Sequence, residues 1–381
     1  MKRIMLMTNG LYGGGAEKVL QTVVSHLDRS KYEVTLYSLH REKLDPTLYR
    51  GELTYRVVFD SYRGSSPVGR IVHGVYDRVR GKLFDLLPAA VFYRLFIRGR
   101  YDVEVAFIEG ESTKIVSGSP NRHSRKLAWV HTDMQANPWS DFLFRGPQDE
   151  ARHYRKFDRI LCVSHGVRKA FLDKYGLEAQ RVATCYNPVD CAAIATCEKE
   201  TTVPEKRAKL RLLSVGRLVA EKGYDRLIRC ASTLRDEGLD FEIYILGEGA
   251  QRPELEVMIR QAGLEQTVFL PGFQENPYVW MKQSDLMVCA SRVEGFSTAM
   301  AEGVVLGLPL VSTDCAGIRE LVGDAACGMI TQNSEAALCD GLRKVLSCPE
   351  QLAAYAAQSR KRSRDFSLES SMKNLEELLD G

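Results

Sequence analysis

Residues 4–17 read Ile4-Met5-Leu6-Met7-Thr8-Asn9-Gly10-Leu11-Tyr12-Gly13-Gly14-Gly15-Ala16-Glu17. The apolar run 4–8 predicts a buried β-strand, the glycines predict a turn, and a helix is predicted to begin at about Ala16. Three consecutive glycines let the backbone approach a ligand closely, and the N–H groups at a helix start attract anions. This strand, turn and helix predict an α/β fold.

Further β-rich runs alternate with helical patterns along the whole chain. They lie at residues 33–38, 55–59, 103–107, 126–130, 159–163 and 182–186, and again at 210–215, 241–246, 268–270, 286–289 and 310–312. Such alternation is typical of parallel sheets with helices on both faces. Between the two series the chain becomes polar and loses its periodicity, which predicts a linker.

The expected architecture therefore has two Rossmann-like, doubly wound parallel-sheet domains that face a central cleft. The predicted divisions are an N-terminal domain at 1–190, a linker at 191–209 and a C-terminal domain at 210–365. Residues 366–381 are predicted to form a final helix that crosses back to the first domain.

Composition excludes several classes of protein. With 381 residues, 45% apolar and 27% charged, the chain can bury two ordinary cores. The start Met1-Lys2-Arg3 is followed by only a short apolar run, which predicts no secretory signal peptide, and no run approaches the ~20 apolar residues that span a bilayer. The ten cysteines include no Cys-x-x-Cys pair, so they are expected to be reduced cytoplasmic thiols without a metal.

The first half of the chain is basic. Residues 1–190 hold 30 Lys and Arg against 21 Asp and Glu, whereas 191–381 hold 22 against 28. Within this half, residues 67–100 combine helical apolar spacing with many basic side chains. One interpretation is a pair of amphipathic helices at the inner face of an anionic membrane, where they would meet headgroups or a lipid-linked phosphate. The other is a pair of outer helices with a solvated basic face. No aromatic-interleaved β platform accompanies the segment, so nucleic-acid binding is not expected.

The glycine-rich first turn by itself is a weak signal. A dinucleotide-binding fingerprint would place an acidic residue at the end of the second strand, where it holds the ribose. Here that strand ends Tyr37-Ser38-Leu39-His40-Arg41. The sequence therefore disfavours a dehydrogenase.

Two cations follow the first strand of the second series. Arg217 and Lys222 come after Gly216, at a strand's carboxyl end, where two positive charges would neutralise a diphosphate and stabilise it as it departs. On charge alone, both are equally consistent with surface cations. The next strand ends in Gly247 and Glu248, where the backbone is again able to approach a ligand.

The most informative segment is 294–303, which carries two carboxylates eight positions apart. Glu294 precedes a predicted helix and would accept hydrogen bonds from sugar hydroxyls, while Glu302 would accept them from a ribose diol. The N–H groups of residues 296–298 would meet phosphate oxygens. The alternatives are a helix-dipole carboxylate at Glu294 and an ordinary surface residue at Glu302.

With these motifs in this order, the chain resembles the retaining glycosyltransferases of family 4, which have the GT-B fold. The resemblance covers nearly the whole chain, and it implies that the domain at 1–190 binds the acceptor and the domain at 210–365 binds the nucleotide sugar. It rests on Gly13-Gly14-Gly15-Ala16-Glu17, Trp129-Val130-His131-Thr132-Asp133, Val163-Ser164, Asn187-Pro188-Val189-Asp190, Gly216-Arg217-Leu218 with Glu221-Lys222-Gly223, Gly247-Glu248-Gly249 and Glu294 to Glu302.

The resemblance implies a role for each of these motifs. Arg217 and Lys222 would bind the donor diphosphate, Glu302 the ribose and Glu294 the donor sugar, while the loop with Gly14 and Gly15 would close over phosphate or acceptor. His131 would lie near the transferred sugar and, with Glu294, Arg217 and Lys222, complete the catalytic set. The remaining implied donor contacts are Gly216, Gly247, Glu248, Gly295, Phe296, Ser297 and Thr298.

Three polar residues after strands of the first domain are harder to assign. Without the resemblance, a lone histidine such as His131 is at least as consistent with a structural role. Asp133 has three possible roles, namely orienting the imidazole, contacting the acceptor or capping a turn. Glu109, like its neighbour Glu111, is an acceptor-contact candidate because it follows the strand at 103–107.

The resemblance also implies the chemistry. The donor configuration would be retained, and the leaving phosphate would help to deprotonate the incoming hydroxyl. Asp102 and Glu104 begin a strand, away from the expected cleft, so we expect no metal and no cofactor. The predicted reaction moves a hexose or N-acetylhexosamine from UDP, rather than GDP, to a glycan or lipid-linked hydroxyl. Alternatives are a UDP-sugar 2-epimerase and a non-catalytic nucleotide-sugar-binding regulator.

Overall fold

The computed structural model describes residues 1–11, 14–40, 53–59, 79, 81–82, 84, 86–196, 202–323 and 326–381. These residues form two compact units. One unit comprises Met1–Pro188 together with Glu369–Gly381, and the other comprises Val189–Leu368.

The first unit is built on a parallel sheet of seven described strands. They are β1 (Lys2–Thr8), β2 (Tyr32–His40), β3 (Thr54–Phe59), β4 (Val103–Ala106), β5 (Arg125–Val130), β6 (Arg159–Cys162) and β7 (Val182–Thr184). Their order across the sheet is β3-β2-β1-β4-β5-β6-β7. The helices between them are α1 (Gly15–His26), α2 (Ala89–Phe96), α3 (Glu111–Val116), α4 (Pro147–Tyr154) and α5 (His165–Tyr175).

The second unit repeats the plan with six described strands. They are β8 (Leu210–Val215), β9 (Phe241–Leu246), β10 (Val268–Gly272), β11 (Leu286–Cys289), β12 (Leu310–Thr313) and β13 (Gly328–Thr331), in the order β10-β9-β8-β11-β12-β13. Its helices are α6 (Cys191–Thr196), α7 (Tyr224–Asp236), α8 (Arg252–Gln261), α9 (Pro277–Lys282), α10 (Thr298–Val305), α11 (Ile318–Val322), α12 (Glu335–Leu346) and α13 (Pro349–Arg362).

Each sheet contains a point where the strand order reverses. In the first unit β1 lies between β2 and β4, and in the second β8 lies between β9 and β11. The connections on the two sides of such a point leave in opposite directions, which opens a crevice outside the carboxyl ends of the strands. The loops after β1, β4, β8 and β11 are therefore where a ligand is expected.

Local sequence signals explain several element boundaries. The side chain of Ser164 accepts a hydrogen bond from the N–H of Val167 and so caps the start of α5. Gly176 ends the same helix with φ +59°, a left-handed conformation that glycine adopts without strain. In the second unit, buried apolar residues of β8, β9 and β11 pack with those of α7 and α12, which fixes the inner faces of these elements.

One charged pair lies within the second unit's interior. Nε of Arg211 on β8 donates a 2.6 Å hydrogen bond to Oε1 of Glu242 on β9, and each side chain is only 1% exposed. The guanidinium also lies 5.0 Å from the ring centroid of Tyr244 and donates to the carbonyl of Pro204. The two charges thus neutralise each other, and further contacts stabilise the buried Arg211 guanidinium.

The α/β prediction of two Rossmann-like parallel-sheet domains is confirmed. The predicted strands agree with the observed ones to within two residues at each end, and β13 was missed. In the range predicted as a linker, α6 is helical with Ile194 buried, and residues 197–201 lie outside the described part. The last helix, α14 (Leu368–Asp380), falls almost wholly in the first unit.

Much of the basic segment predicted at 67–100 lies outside the described residues, namely 67–78, 80, 83 and 85. The described part of this segment includes α2, in which Phe92 and Tyr93 are buried. Across the described chain, the structure contains no helix with the length and apolarity needed to cross a bilayer.

Candidate functional site

The loops after β8 and β11 bring a cation and a carboxylate together. Lys222 ends the short turn Ala220–Lys222, and its Nζ donates a 2.6 Å hydrogen bond to Oε1 of Glu294. The hydroxyl of Ser291 donates to the same oxygen at 2.6 Å. The other carboxylate oxygen, Oε2, has no hydrogen bond from any residue that the structure describes, so it is available to a ligand hydroxyl.

Electrostatics keep Lys222 charged in this position. Burial alone lowers the pKa of an ammonium group, but the Glu294 carboxylate opposes that effect, and the net pKa of Lys222 is raised above its usual 10.5. Its side chain is 24% exposed and that of Glu294 is 12% exposed. A protonated lysine has three N–H donors, so Lys222 is able to keep its bond to Glu294 and still meet a phosphate.

Sequence reasoning did not identify the residues that hold this pair in place. Arg226 on α7 is buried, and its guanidinium donates to the carbonyls of Ala290 at 2.6 Å and Ser291 at 2.5 Å. The hydroxyl of Thr313 donates to the same Ser291 carbonyl at 2.6 Å. These bonds fix the start of the loop that carries Glu294, and no local sequence pattern signals them.

Gly247, predicted as a donor contact, is required where two loops approach each other. It has φ +146°, and a Cβ atom there would lie 2.0 Å from the carbonyl oxygen of Gly216. Any larger residue at 247 would therefore displace the turn that follows β8. The two glycines hold the backbone ends of β8 and β9 together beside Lys222.

Arg217 and Glu248 are the exposed members of the predicted set in the second unit. Within the described part of the chain, the Arg217 guanidinium makes no ion pair or hydrogen bond. Glu248 pairs with Arg252 at 2.8 Å and remains 54% exposed. The Arg217 guanidinium is thus available to a ligand, whereas the Glu248 carboxylate is already paired with Arg252.

Segment 295–302 leads from the Glu294 loop into α10. Gly295 and Phe296 are buried, Ser297 is the N-cap residue of α10 and Thr298 is the first helical residue. The first N–H groups of a helix have no partner within it, so this end of α10 suits an anion. Glu302 is 5% exposed, and Tyr278 donates to its Oε1 at 3.4 Å, which excludes the surface-residue alternative.

A small open crevice lies over these groups. Its walls include Ser214, Lys222, Ser291, Glu294 and Ser297. Of the predicted donor residues of the second unit, Lys222, Glu294 and Ser297 line this crevice. Of the described residues, no cluster of three or more His, Cys, Asp and Glu side chains is arranged to hold a metal ion.

In the first unit, His131 follows β5 and lies against two aromatic rings. Its ring centroid is 5.5 Å from that of Trp129, with the rings nearly parallel, and 5.1 Å from that of Phe107. Burial lowers the pKa of His131 to about 4, despite a hydrogen bond with the Phe107 backbone. The imidazole is therefore neutral near pH 7, and its Nε2 is buried without a partner among the described residues.

Glu109 and Asp133 make backbone contacts on either side of His131. The Oε1 atom of Glu109 accepts hydrogen bonds from the N–H groups of His131 at 2.6 Å and Thr132 at 2.7 Å. Oδ1 of Asp133 accepts from the N–H groups of residues 135 and 136, which is a turn-capping arrangement. Both residues, proposed as acceptor contacts, thus have their carboxylates engaged within the chain.

The described residues of the first glycine turn lead into α1. Gly14 is its N-cap and Gly15 its first residue, whereas Gly13 lies outside the described part. A Cβ at Gly14 would lie 2.5 Å from Oε2 of Glu17, so a carboxylate of the chain itself already lies beside this turn. Asn9, before the turn, donates to the carbonyl of Glu109 and to the carboxylate of Glu111, each at 2.9 Å.

Comparison with known protein families matches both halves of the chain. Residues 13–193 match the model described as Glycosyltransferase Family 4, and residues 198–362 match the one described as Glycosyl transferases group 1. The two matches together span most of the chain, and the motifs identified from the sequence lie within them.

Individual relatives agree with the family models. The chain is 31% identical over 215 residues to a Campylobacter jejuni protein named N-acetylgalactosamine-N,N'-diacetylbacillosaminyl-diphospho-undecaprenol 4-alpha-N-acetylgalactosaminyltransferase, covering 56% of this chain and 57% of that protein. It is 24% identical to the putative glycosyltransferase EpsF of Bacillus subtilis, covering 96% and 90%. The chain spans about half the length of several curated relatives that it matches.

Comparison with solved structures concerns the fold. The crystal structure of Anabaena HepE in complex with UDP and glucose has a TM-score of 0.77, with 17% sequence identity and 100% coverage of both chains. At that identity the likeness establishes the architecture. The chain belongs to the family 4 glycosyltransferases, with the GT-B fold of two parallel-sheet domains.

Proposed function

We propose that this protein transfers a hexose or N-acetylhexosamine from a nucleoside diphosphate sugar, UDP rather than GDP, to a hydroxyl of a lipid-linked or glycan acceptor. The observation that carries the proposal is the Lys222–Glu294 pair at the strand-order reversal of the second sheet. The cation is suited to a leaving diphosphate, and the open carboxylate oxygen to a sugar hydroxyl. UDP in the HepE complex and the diphospho-undecaprenol in the Campylobacter enzyme's name support the choice of substrates.

The proposed reaction retains the donor configuration and uses no metal. The bond from the anomeric carbon to the diphosphate oxygen breaks, and a bond to the acceptor oxygen forms on the same face. The acceptor proton passes to the departing phosphate, so no carboxylate nucleophile is needed. Arg217, Lys222 and the start of α10 would stabilise the leaving charge. His131, being neutral, would hydrogen-bond the transferred sugar.

A donor screen tests the proposal. Purified protein is incubated in EDTA with UDP- and GDP-sugars, with and without a membrane-lipid extract, and release of the nucleoside diphosphate is followed. Release that requires one donor and the extract would support transfer to a lipid-linked acceptor. Acceptor-independent loss of UDP-N-acetylglucosamine would favour a 2-epimerase, and donor binding without release under any condition would favour a regulator. Activity that appears only after divalent cations are restored would refute metal independence.

A substitution in the second unit is expected to weaken donor binding, whereas a substitution in the first unit is expected to lower kcat. Glu302→Ala should raise the donor Kd about 10- to 100-fold, the range expected for a lost hydrogen bond to a charged group. His131→Ala should leave the donor Kd nearly unchanged and lower kcat about 100-fold, because its contact would matter most in the transition state. Donor titration by calorimetry and steady-state kinetics measure the two effects. Equal loss of donor affinity in both variants would contradict this division.

Peripheral binding to an anionic membrane is also part of the proposal. Around the described part of segment 67–100, the exposed fractions are 50% for Val79, 78% for Leu86, 40% for Val91 and 56% for Leu95. Exposed basic residues accompany them, namely Lys82, Arg94, Arg98 and Arg100. Apolar side chains that enter the interface, beside cations that meet lipid phosphates, are typical of monotopic contact.

Replacing both Leu86 and Leu95 by glutamate should weaken binding to phosphatidylglycerol vesicles by at least about tenfold, because two apolar anchors are lost and two negative charges added. Vesicle co-sedimentation measures the effect, with phosphatidylcholine vesicles as the neutral reference. Val257→Glu, at an exposed position of α8 in the second unit, is the matched control. Equal binding by the control and the double variant would argue against this surface.

A further inference from the structure

We propose that Glu109 is a positioning residue whose buried carboxylate holds the backbone at His131 and thereby sets the place of the imidazole. This inference rests on the proposed function, in which His131 contacts the transferred sugar. It assigns Glu109 a role in the candidate site without direct contact to the acceptor.

Glu109 connects three loops at the strand-order reversal of the first sheet. It follows β4 and is 1% exposed. Its carbonyl oxygen accepts from Asn9, after β1, and its Oε1 accepts from the N–H groups of His131 and Thr132, after β5. A single residue thus ties together the loops that border the crevice of this unit.

The rest of the His131 loop is held by other contacts. Further along, Ser140 donates to the buried Glu150 at 2.6 Å, and Lys174 donates to the carbonyl of Met134 at 3.0 Å. These contacts act three or more residues after His131. The Glu109 carboxylate, in contrast, accepts hydrogen bonds from the first two N–H groups of the loop, those of His131 and Thr132. It therefore fixes the histidine backbone directly.

Burying an ionised carboxylate at this position costs desolvation free energy. Burial raises the pKa of Glu109 to about 7, although the two backbone N–H groups act in the opposite direction. Its Oε2 atom is buried without a partner in the described part of the structure. A neutral acceptor would satisfy both amides without that desolvation cost, and the ionised carboxylate differs from it in making stronger, charge-assisted hydrogen bonds.

The raised pKa has a definite consequence for stability and for function. Ionising Glu109 costs folding free energy, so its contribution to stability falls as pH rises from its ordinary pKa of 4.5 to about 7. Protonation near pH 7 replaces charge-assisted hydrogen bonds to His131 and Thr132 by weaker neutral ones. The groups that act on Glu109 electrostatically are Glu150 and Tyr154 on α4 and Cys162 on β6. The neighbouring His131 stays neutral in this range.

The direct test follows the two amides by NMR on the full chain, deuterated and labelled with ¹⁵N. Between pH 5 and pH 9, the amide protons of His131 and Thr132 should shift together with a midpoint near pH 7, and Glu109→Gln should abolish that shift. Glu104→Gln is the matched control, because Glu104 is a buried carboxylate on β4 with a raised pKa and no bond to His131. Absence of titration in the wild type, or its persistence in Glu109→Gln, would overturn the proposal.

The kinetic test separates positioning from a purely structural role. At pH 8, Glu109→Gln should lower kcat about tenfold with the donor KM nearly unchanged, as expected for an interaction realised in the transition state. The decline of wild-type kcat below pH 7 should be absent in the variant, while the Glu104 control should keep it. A variant with unaltered kcat, or one that loses stability at pH 8, contradicts the assignment. If no donor supports transfer, the proposed function fails, and the NMR result still decides the role of Glu109.

Discussion

Lys222→Met is expected to lower kcat about 1,000-fold, because removal of a preorganised donor to a developing negative charge costs about 10²–10³ and the variant also unpairs Glu294. Methionine keeps the stem, which lies close to Gly216, and removes only the charge. Because the pKa of Lys222 is raised above 10.5, the wild type should keep this charge throughout the neutral and mildly alkaline range. Single-turnover kinetics with saturating donor measure the chemical step.

Lys344→Met is the matched control for this experiment. Lys344 is exposed on α12, and its replacement removes the same charge from the same unit. Its kcat should equal that of the wild type. If Lys222→Met kept a kcat close to the control's, the leaving diphosphate would not depend on Lys222, and Arg217 with the start of α10 would have to supply the stabilisation.

Glu242→Gln is expected to lower the free energy of unfolding of the second unit by about 3–5 kcal/mol, the usual cost of breaking a buried ion pair by removing one partner. The variant leaves the charge of Arg211, which is 1% exposed, without its anion. Because the chain has two units, amide hydrogen exchange of β8 and β9, read by mass spectrometry, is the appropriate measurement.

Two further variants make the stability result interpretable. Asp236→Asn breaks an exposed pair with Arg235 and should cost less than about 1 kcal/mol. The double variant Arg211→Met with Glu242→Leu removes both charges and should recover most of the loss, since well-packed apolar residues replace buried pairs at little cost. A loss in Glu242→Gln as small as that in Asp236→Asn would contradict a strong role for the pair.

The fold was predictable because most of its strands are short apolar runs, and β4, β9, β11 and β12 are buried at every position. The prediction at 210–215 coincides with β8, in which four of the six residues are buried. β13 was missed because it lies at the edge of the sheet, begins with a glycine and buries only Thr331. A strand that buries little apolar surface leaves little periodic signal.

The strands that carry the candidate residues were predictable, but the partners of those residues were not. Lys222 and Glu294 follow strands that are distant in sequence, and only the strand order makes them neighbours. Arg226, which fixes the Glu294 loop through two carbonyls, has no motif that signals it. For Glu109, the sequence indicated the end of a strand but not the direction of the side chain, which points to the His131 backbone. The donor-binding, catalytic and acceptor roles all stay predictions.

The placement of α14 affects how the chain folds during synthesis and which fragments of it are expected to fold. Its buried residues Met372, Leu375 and Leu379 belong to the first unit, and Asp380 and Glu376 pair with Lys2 and Lys31 beside β1 and β2. These residues are synthesised only after the whole second unit, so the first unit remains incomplete on the ribosome while the second is already able to fold. A fragment that stops at residue 188 would lack this covering helix, whereas 189–368 is continuous and is the natural fragment for donor-binding studies.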